Sequence, residues 1–384
     1  MRTITTLSIA WLLAVLAGCG GGGGDASPAP PTPGPSGAPT VTAQAVRLNN
    51  PWGLAALPDG TWLVTQKGGS VVRVSADYAT SQPVTGAPAV DSAGQGGLLD
   101  VVLDPDFASN AWVYLSYSEP GTGAEAGKSG TAVARAQLVG NALQGLTVIF
   151  RQAPKVAGSA HYGSRLVFSA DKTLFITLGE RQLGTPAQDV AQTLGKVVRV
   201  NRDGSVPADN PSFGAGARAG LWSLGHRNPQ GAALHPVTGE LWLSEHGSQG
   251  GDEINIARAG GNYGWPLVSY GCNYGDPVGT ACAIGGGTHA PRFVEPLTTW
   301  VPTSIAPAGI AFYTGTMFPE WQGQLFVGAL AGQALWRLTL SGNTVASREA
   351  LFASLGERIR SVKVAADGAL LLLTDSGKLV RVAR

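Results

Sequence analysis

The sequence predicts an all-β protein, and more specifically a six-bladed β-propeller. The 384 residues include 55 glycines and 25 prolines, and few ten-residue stretches carry apolar positions at helical spacing without one of them. Short runs of Val, Leu, Ile, Phe and Trp alternate with Gly, Asp, Asn and Pro instead, which is typical of strands separated by turns. One strand–turn–strand sequence pattern also occurs in six copies along the chain.

Each copy of this pattern consists of an apolar strand, a small turn containing Asp or Gly, and a second apolar strand. The copies begin at Trp52, Leu98, Arg165, Gly231, Gly309 and Ser361. A single hairpin cannot bury its apolar face alone, so repeated hairpins must stack on one another. Four-stranded blades around an axis meet this requirement, with extended loops in several blades. A pair of packed sheets is the alternative, and the spread of the copies over the whole body argues against it.

The N-terminal residues predict export and lipid anchoring. Arg2 precedes an apolar run that is too short to span a bilayer and that ends in LAGC at residues 16–19. We interpret residues 1–18 as a lipoprotein signal peptide, Cys19 as the lipidated residue, and residues 19–40 as a Gly/Pro-rich tether. An ordinary signal peptide with a chance cysteine is the alternative. Gly20 rather than Asp follows the cysteine, which predicts the periplasmic side of the outer membrane, with residues 41–384 forming the propeller.

Charge and cysteine usage narrow the functional classes. The formal net charge is +1 and charged residues make up 13% of the chain, so the basic field that nucleic-acid binding requires is missing, and we expect no nucleic-acid partner. Cys272 and Cys282 flank a short loop, and in an exported protein they predict a disulfide rather than two free thiols.

Polar clusters stand at the ends of the predicted strands. Gln95 lies in GQGGLLD, His161 lies in AHYGSRLVF, and Glu180 ends the same hairpin as His161. A carboxylate that holds a histidine is the usual arrangement for orienting a general base. On spacing alone, a polar turn is the better interpretation of Gln95, and a single histidine is more often structural than catalytic.

Three more clusters carry arginines or glycine-rich backbone. Arg227 lies in GHRNPQG, and Arg358 and Arg360 flank Ile359, so that on a strand their guanidinium groups point the same way. The stretch SEHGSQGGDEIN, residues 244–255, combines acids with glycines whose carbonyls can face a hard cation. Each could instead be solvated surface or a polar turn. A polycarboxylate cofactor with a divalent cation would satisfy all of the clusters together.

The ordered motifs resemble those of the pyrroloquinoline-quinone-dependent soluble glucose and aldose sugar dehydrogenases. From about Trp52 to the end, the resemblance is carried by GQGGLLDVVL, HYGSRLVF, LGHRNPQG, SEHGSQGGDEIN, GGNYGWPLVSYG, FPEWQG and ERIRSV. It implies a six-bladed propeller that oxidises the C1 hydroxyl of aldoses to lactones. Hydride would pass to pyrroloquinoline quinone (PQQ) beside Ca²⁺, and electrons would then pass to an external quinone or cytochrome.

The resemblance also implies roles for particular residues. His161 matches the general base, and Glu180 matches its supporting carboxylate, which is Asp in the glucose enzymes and can be Glu in the aldose enzymes. Arg227 matches the arginine near the reacting carbonyl of the cofactor. The remaining matches to cofactor-contacting positions are Gln95, Asn228, Tyr274, Ala329, Ala331, Arg358 and Arg360.

For the metal, the resemblance implies backbone carbonyls of Gly247 and Ser248 as calcium ligands, and calcium-linked positions at Glu253 and Tyr263. Two residues depart from the pattern. Ser248 stands where the family usually has Pro, and Ala331 stands where it often has a lysine that reaches a cofactor carboxylate. The lost cation leaves open a non-catalytic propeller that binds a glycan or protein. A calcium-dependent lactone hydrolase is a third alternative, and the arginines argue against it.

Overall fold

The computed structural model describes residues 37–384. The predicted signal peptide, Cys19 and most of the tether lie outside the described residues. Within residues 37–384, no helix is both long and apolar enough to cross a membrane.

The described residues form strands almost throughout. In chain order these are β1 (Thr40–Arg47), β2 (Pro51–Ala56), β3 (Trp62–Gln66), β4 (Ser70–Val74), β5 (Ser81–Val84), β6 (Leu98–Leu103), β7 (Trp112–Pro120), β8 (Ser129–Val139), β9 (Ala142–Arg151), β10 (Leu166–Phe168), β11 (Leu174–Thr177), β12 (Lys196–Val200), β13 (Leu221–Leu224), β14 (Pro229–Leu234), β15 (Leu241–Glu245), β16 (Asp252–Ile256), β17 (Thr298–Trp300), β18 (Pro307–Phe312), β19 (Leu325–Ala329), β20 (Leu335–Ser341), β21 (Thr344–Leu351), β22 (Ile359–Val364), β23 (Leu370–Thr374) and β24 (Lys378–Ala383). A four-residue helix, α1 (Phe107–Asn110), follows β6, and short 3₁₀ turns occupy Gly123–Glu125, Thr185–Gln188, Thr280–Cys282, Ile284–Gly286, Pro319–Trp321 and Ala353–Leu355.

These strands make six four-stranded antiparallel sheets, so the predicted six-bladed propeller is confirmed. Blades 1 to 5 each use four consecutive strands, from β2–β5 through β18–β21. Blade 6 joins β22, β23 and β24 to the N-terminal strand β1, with Thr40 paired to Ala383. The innermost strands β2, β6, β10, β14, β18 and β22 contact one another in a closed circle. The first and last strands of the described residues therefore close the ring through backbone pairing.

Apolar side chains fill the spaces between adjacent blades. Tyr114 of blade 2 packs edge-to-face on Phe168 of blade 3, with ring centroids 5.0 Å apart. Trp242 of blade 4 packs in the same manner on Phe312 of blade 5, at 5.4 Å. Such contacts add to the burial of apolar area that holds the blades together.

The strand order explains why polar clusters far apart in sequence converge. Within each blade the first strand runs antiparallel to the second, so the start of the innermost strand lies beside the end of the second strand. Pro229 pairs with Glu245 in blade 4, and Ile359 with Thr374 in blade 6. We call this edge of the ring the upper face. A predicted site residue therefore lies on the upper face if it comes just before an innermost strand or just after the second strand of a blade.

A long connection, residues 257–297, joins β16 to β17 on blade 4. It contains the predicted disulfide, which is present between Cys272 and Cys282, with a Cα–Cα distance of 5.1 Å. Cys272 exchanges backbone hydrogen bonds with Gln249, at 3.0 and 3.1 Å. The disulfide loop is therefore fastened to the glycine-rich loop that follows β15.

Candidate active site

A histidine–carboxylate pair lies on the upper face of blade 3. His161 precedes β10 and Glu180 follows β11, and His161 Nδ1 lies 2.6 Å from Glu180 Oε1. The other oxygen of Glu180 accepts a hydrogen bond from the Gly184 N–H, at 2.6 Å. Both side chains are buried. Because a carboxylate accepts at Nδ1, the proton of a neutral imidazole is held there, and Nε2 is free to accept one.

The surroundings of the pair favour a neutral imidazole and an ionised carboxylate. Burial lowers the pKa of His161, the hydrogen bond to Glu180 opposes that effect, and the charge of Arg227 lowers the pKa further, leaving it below its ordinary value. Burial opposes ionisation of Glu180, but the hydrogen bond from His161 and its charge bring the pKa of Glu180 below the usual range. Near neutral pH the pair therefore has the protonation state of a general base.

The backbone at His161 is held in an unusual conformation. Its φ is 53°, in the left-handed region that non-glycine residues rarely adopt. Its N–H donates to Gln95 Oε1, at 2.9 Å. A Cβ on Gly179 would lie 2.1 Å from the His161 carbonyl oxygen, so only glycine fits there. Gln95 thus positions the histidine as well as lining the site.

Arg181, next to Glu180, fixes the segment before His161. Its guanidinium donates to the carbonyls of Ala160 at 2.8 Å and Ser129 at 2.7 Å, and also to Gly158. It lies over the ring of Tyr162, 3.8 Å from the centroid. Because each of these partners is backbone or aromatic, this buried arginine serves to hold the loop that carries the histidine.

Arg227 links the pair to the glycine-rich loop on blade 4. Its NH1 donates to the Gly247 carbonyl at 2.5 Å, and its NH2 donates to the Tyr274 hydroxyl at 3.0 Å. Its guanidinium also lies 5.1 Å from the ring of Trp265. Asn228 is buried, and its Oδ1 accepts from the Gly163 N–H at 3.1 Å. Among the described residues, Arg227 Nε and Asn228 Nδ2 are buried without a partner.

On blade 6, Arg358 and Arg360 point the same way, as their spacing predicts. Both bind Asp375, with Arg358 Nε 2.9 Å from Oδ2 and Arg360 Nε 2.9 Å from Oδ1. Arg360 NH1 also donates to Gln230 Oε1, at 2.6 Å. Asp375 therefore holds both guanidinium groups in one place before any ligand binds.

The turn at Gly247 and Ser248 is anchored from below by Asp252. Asp252 Oδ1 accepts the Gly247 N–H at 2.9 Å, and Oδ2 accepts the N–H groups of Ile305 and Ala306 at 2.7 and 2.8 Å. A Cβ on Gly247 would lie 2.2 Å from the Gly250 carbonyl oxygen, which explains the glycine. Ser248 Oγ donates to the Cys272 carbonyl. The turn is thus tied to blade 5 and to the disulfide loop.

Two buried carboxylates lie below this turn. Glu245 and Glu253 pair directly across β15 and β16. Burial, followed by the charge of Glu245, raises the pKa of Glu253 well above its ordinary value. Glu253 accepts from Asn255 Nδ2 at 3.0 Å, and its Oε1 lies 3.5 Å from His289 Nε2. Like charges opposed on neighbouring strands are destabilising unless a cation compensates them.

The Tyr263 hydroxyl is occupied by backbone groups. It donates to the Ile256 carbonyl and accepts the Arg258 N–H, at 2.8 Å for the latter. A metal-linked role for Tyr263 would therefore use its backbone carbonyl rather than the phenol. Residues 37–384 contain no cluster of three or more His, Cys, Asp and Glu side chains arranged to hold a metal, so a cation here needs carbonyl ligands.

These residues surround adjoining cavities on the upper face. One, about 450 Å³, is lined by His161, Glu180, Arg227, Ser248 and Tyr274. Another, about 420 Å³, is lined by Gln95, Gln230, His246, Arg358 and Arg360. A small third cavity, about 10 Å³, has Arg227, His246, Gly247, Glu253 and Tyr263 in its wall. Arg227 lines the first and third of these cavities and His246 lines the second and third, so the three lie side by side, and we refer to them together as the funnel.

A larger cavity, about 540 Å³, lies elsewhere, between blades 2 and 3. Its charged groups neutralise one another, since Arg202 NH1 binds Asp104 Oδ1 and Asp106 Oδ2, both at 3.0 Å. We therefore assign the chemistry to the funnel, which contains the buried His161–Glu180 pair and Arg227.

The chain matches the glucose/sorbosone dehydrogenase family over residues 48–381. It belongs to this family. It is 44% identical to the aldose sugar dehydrogenase YliI of Escherichia coli over 344 residues, covering 88% of this chain and 90% of that protein. It is 33% identical to quinoprotein glucose dehydrogenase B of Acinetobacter calcoaceticus over 311 residues, covering 73% of this chain and 61% of that protein.

Solved structures of this dehydrogenase family superpose closely. The apo-form of the soluble aldose sugar dehydrogenase of Escherichia coli aligns with a TM-score of 0.83 at 41% identity, covering 90% of this chain and 99% of that one. The PQQ-bound form of the aldose sugar dehydrogenase of Streptomyces coelicolor aligns with a TM-score of 0.73 at 29% identity, covering 91% and 98%. The family resemblance predicted from the motifs is therefore confirmed.

As a member of the dehydrogenase family, the chain brings most of its predicted site residues together around the funnel. Ala329 and Ala331 are placed differently: Ala329 is fully buried at the end of β19, and Ala331 is exposed. The residue between them, Leu330, lines the cavity beside Arg358 and Arg360. Any cofactor contact by the two alanines stays a prediction.

Sequence reasoning missed several residues of the funnel, among them Asp375, Gln230, Trp265 and Lys67. For Asp375 a signal was present. It follows the second strand of its blade, as Glu180 does in blade 3, and Glu245 ends the second strand of blade 4. Aligning the six hairpins at this position would have identified it. His246, in the stretch SEHGSQGGDEIN, lines the funnel, and burial and nearby positive charges lower its pKa to about 3.

Proposed function

We propose that this protein is a PQQ-dependent aldose sugar dehydrogenase that oxidises the C1 hydroxyl of glucose-like aldoses to lactones. The observation that carries the proposal is the buried His161–Glu180 pair in a cavity wall that also contains Arg227. The adjoining cavity is lined by Arg358 and Arg360. A base thus stands beside a positively charged pocket suited to a polycarboxylate.

Bound PQQ would supply the hydride acceptor. The residues of the chain perform the acid–base and positioning work. His161 Nε2 takes the proton of the C1 hydroxyl, and Glu180 stabilises the imidazolium that results. Arg227, whose charge lies beside the pair, provides positive potential where negative charge develops on oxygen. The burial of the pair strengthens each of these electrostatic effects.

The funnel fits such a cofactor in its polar groups. Arg227 Nε, Asn228 Nδ2 and His246 Nε2 are buried and without partners among the described residues. A buried unsatisfied polar group costs about 1–3 kcal/mol, so a ligand with several oxygen and nitrogen atoms would recover that free energy. Arg358 and Arg360, held together by Asp375, would receive its carboxylates.

We infer a calcium ion from the chemistry of the donors. Hard cations take carbonyl and carboxylate oxygens. The Gly247–Ser248 turn has two backbone carbonyls, of which that of Gly247 also accepts a hydrogen bond from Arg227 NH1, and Gly247 and Glu253 line one small cavity. Burial and the charge of Glu245 raise the pKa of Glu253, so a cation bound beside Glu253 would favour its ionised form. The ion would hold and polarise the quinone as a Lewis acid.

For localisation, we propose an exported protein anchored by a lipid on Cys19, facing the periplasm from the outer membrane, with an external quinone or cytochrome as electron acceptor. The LAGC motif and the Gly/Pro-rich tether support this. Labelling with a radioactive fatty acid tests it, because Cys19→Ser should abolish incorporation. Equal labelling of the wild type and Cys19→Ser would contradict the anchor.

The enzymatic proposal is tested by reconstitution. Cofactor-free protein is mixed with PQQ and Ca²⁺, and reduction of a redox dye is followed with glucose and other aldoses. We expect turnover by the wild type and a loss of about 10²-fold or more in His161→Ala, because a positioned base contributes that much. Absence of turnover in the wild type, or full turnover in His161→Ala, would contradict the proposal.

A non-catalytic propeller that binds a glycan or protein is the second candidate. The observation in its favour is Ala331, an exposed alanine where the family often carries a lysine. Calorimetric titration separates the two candidates: heat with a glycan and none with PQQ would favour the binding protein, and heat with PQQ would favour the enzyme.

A further inference from the structure

We propose that Lys67 is a cofactor-binding residue that supplies the positive charge missing at position 331. The inference rests on the proposed function and deepens it. It assigns the binding of one cofactor carboxylate to a residue of blade 1 rather than to position 331 on blade 5. Neither the motifs nor the family resemblance assigned a role to this lysine.

The backbone of Lys67 is fixed on the upper face between blades 1 and 2. It directly follows β3, its N–H donates to the Asn50 carbonyl at 2.9 Å, and its carbonyl accepts the Leu98 N–H at 3.1 Å. A Cβ on Gly97 would lie 2.1 Å from the Lys67 carbonyl oxygen, so the glycine permits this close approach. The lysine is thus anchored at its base while its long side chain remains free to reorient.

The side chain of Lys67 lines the same cavity as Arg358 and Arg360. That cavity, about 420 Å³, also has Gln95 and Gln230 in its wall. Lys67 comes from blade 1, Gln95 from the start of blade 2, and the arginines from blade 6. Three adjacent blades therefore present cations or amides to a single ligand-sized space.

The charges of this wall do not balance. Its cations are Lys67, Arg358 and Arg360, and its one carboxylate is Asp375. Asp375 binds both arginines, whereas Lys67 Nζ makes a single hydrogen bond within residues 37–384, to the Ser92 carbonyl at 3.2 Å. Among the described residues, no carboxylate lies within 4.0 Å of Lys67 Nζ. The lysine is therefore a cation available to an anionic ligand.

The position of Lys67 explains how the funnel can lack a lysine at 331. Blade 6, which carries the arginines, lies between blade 5 and blade 1. Ala331 follows Leu330, which lines the cavity from blade 5, whereas Lys67 lines it from blade 1. A cation from either neighbour of blade 6 can reach a carboxylate already held by the arginines. In this chain blade 1 provides that cation.

The test is a calorimetric titration of the full chain, freed of cofactor, with PQQ in the presence of Ca²⁺. We expect Lys67→Met to bind PQQ about tenfold more weakly at low salt, since the variant loses a charge-assisted hydrogen bond to the cofactor and the lysine is partly exposed. The loss should shrink with added salt because exposed charges are screened. Lys67→Arg should bind nearly as the wild type does.

Lys128→Met is the matched control. Lys128 is exposed and lies outside the cavity wall, and its replacement changes the net charge by the same amount as Lys67→Met. Adding Ala331→Lys to Lys67→Met should restore most of the lost affinity. Binding by Lys67→Met within twofold of the wild type at low salt, with an unchanged melting temperature, would overturn the inference. Failure of the wild type itself to bind PQQ would instead count against the proposed function.

Discussion

Glu180 Oε1 lies 2.6 Å from His161 Nδ1, and the other oxygen of Glu180 is bound to a backbone N–H. This geometry holds the imidazole in one orientation and keeps its proton on Nδ1. The catalytic nitrogen, Nε2, is consequently a proton acceptor, which is the state that oxidation of a hydroxyl requires.

Glu180→Gln should lower kcat by about 10²-fold or more, with little change in PQQ affinity. The amide keeps the shape of the carboxylate but cannot stabilise the imidazolium, and its NH₂ group can force the other tautomer. Steady-state kinetics and PQQ titration together provide the measurement. Glu349→Gln, at an exposed site on β21, is the control, and an unaltered kcat in Glu180→Gln would contradict the assigned role.

The pH dependence of kcat/KM should show an acidic limb below pH 6.5. The base is active when neutral, so activity is present above the pKa of His161 and is lost as the pH falls through it. Burial and the charge of Arg227 place that pKa below the ordinary value of 6.5. A limb centred well above pH 6.5 in the wild type would show that another group controls the reaction.

Arg181→Gln should lower kcat and also move the acidic limb to higher pH. The guanidinium holds the Ala160 and Ser129 carbonyls, and its charge contributes to the lowered pKa of His161. We expect at least a tenfold loss in kcat, with PQQ affinity retained because Arg181 lines neither large cavity of the funnel.

A purely structural role for Arg181 predicts a different result, namely a lower melting temperature with the acidic limb unmoved. Arg218→Gln is the control, since Arg218 is a surface arginine that donates to the Ala191 carbonyl far from the base. Comparing pH profiles of the two variants separates positioning from general stability.

Removing the disulfide by Cys272→Ser and Cys282→Ser should destabilise the protein. Closing a ring of this size contributes about 2–3 kcal/mol in the chain-entropy treatment. The loop also contacts Ser248 and places the Tyr274 hydroxyl 3.0 Å from Arg227, so affinity for PQQ should fall as well. Thermal unfolding and titration measure the two effects, and reductant added to the wild type should reproduce both.

Chelation of calcium should lower the melting temperature of the wild type, because an ion that binds only the folded state stabilises it by about 2.7 kcal/mol at a hundred times its Kd. Glu253→Gln should respond less to the chelator, since it has lost the carboxylate beside Glu245. Equal responses in the two proteins would exclude Glu253 as a partner of the ion.

The sequence by itself determined the blades, the disulfide and the identity of most funnel residues. Strand and turn are local properties, so hairpins such as that beginning at Trp52 could be predicted from apolar alternation and turn residues. His161, Glu180 and Arg358 were recognisable because they stand at the ends of repeated hairpins. The family motifs then placed these clusters in a shared chemical context.

Only the tertiary structure decided which of these residues meet. The pairing of β1 with β24 closes the ring, and only then do Lys67 of blade 1 and Arg360 of blade 6 line a common cavity. Asp375 between two arginines and Glu245 opposite Glu253 likewise depend on strand register. These contacts join residues far apart in the chain, and their geometry follows from how whole blades pack, which no local pattern of side chains specifies.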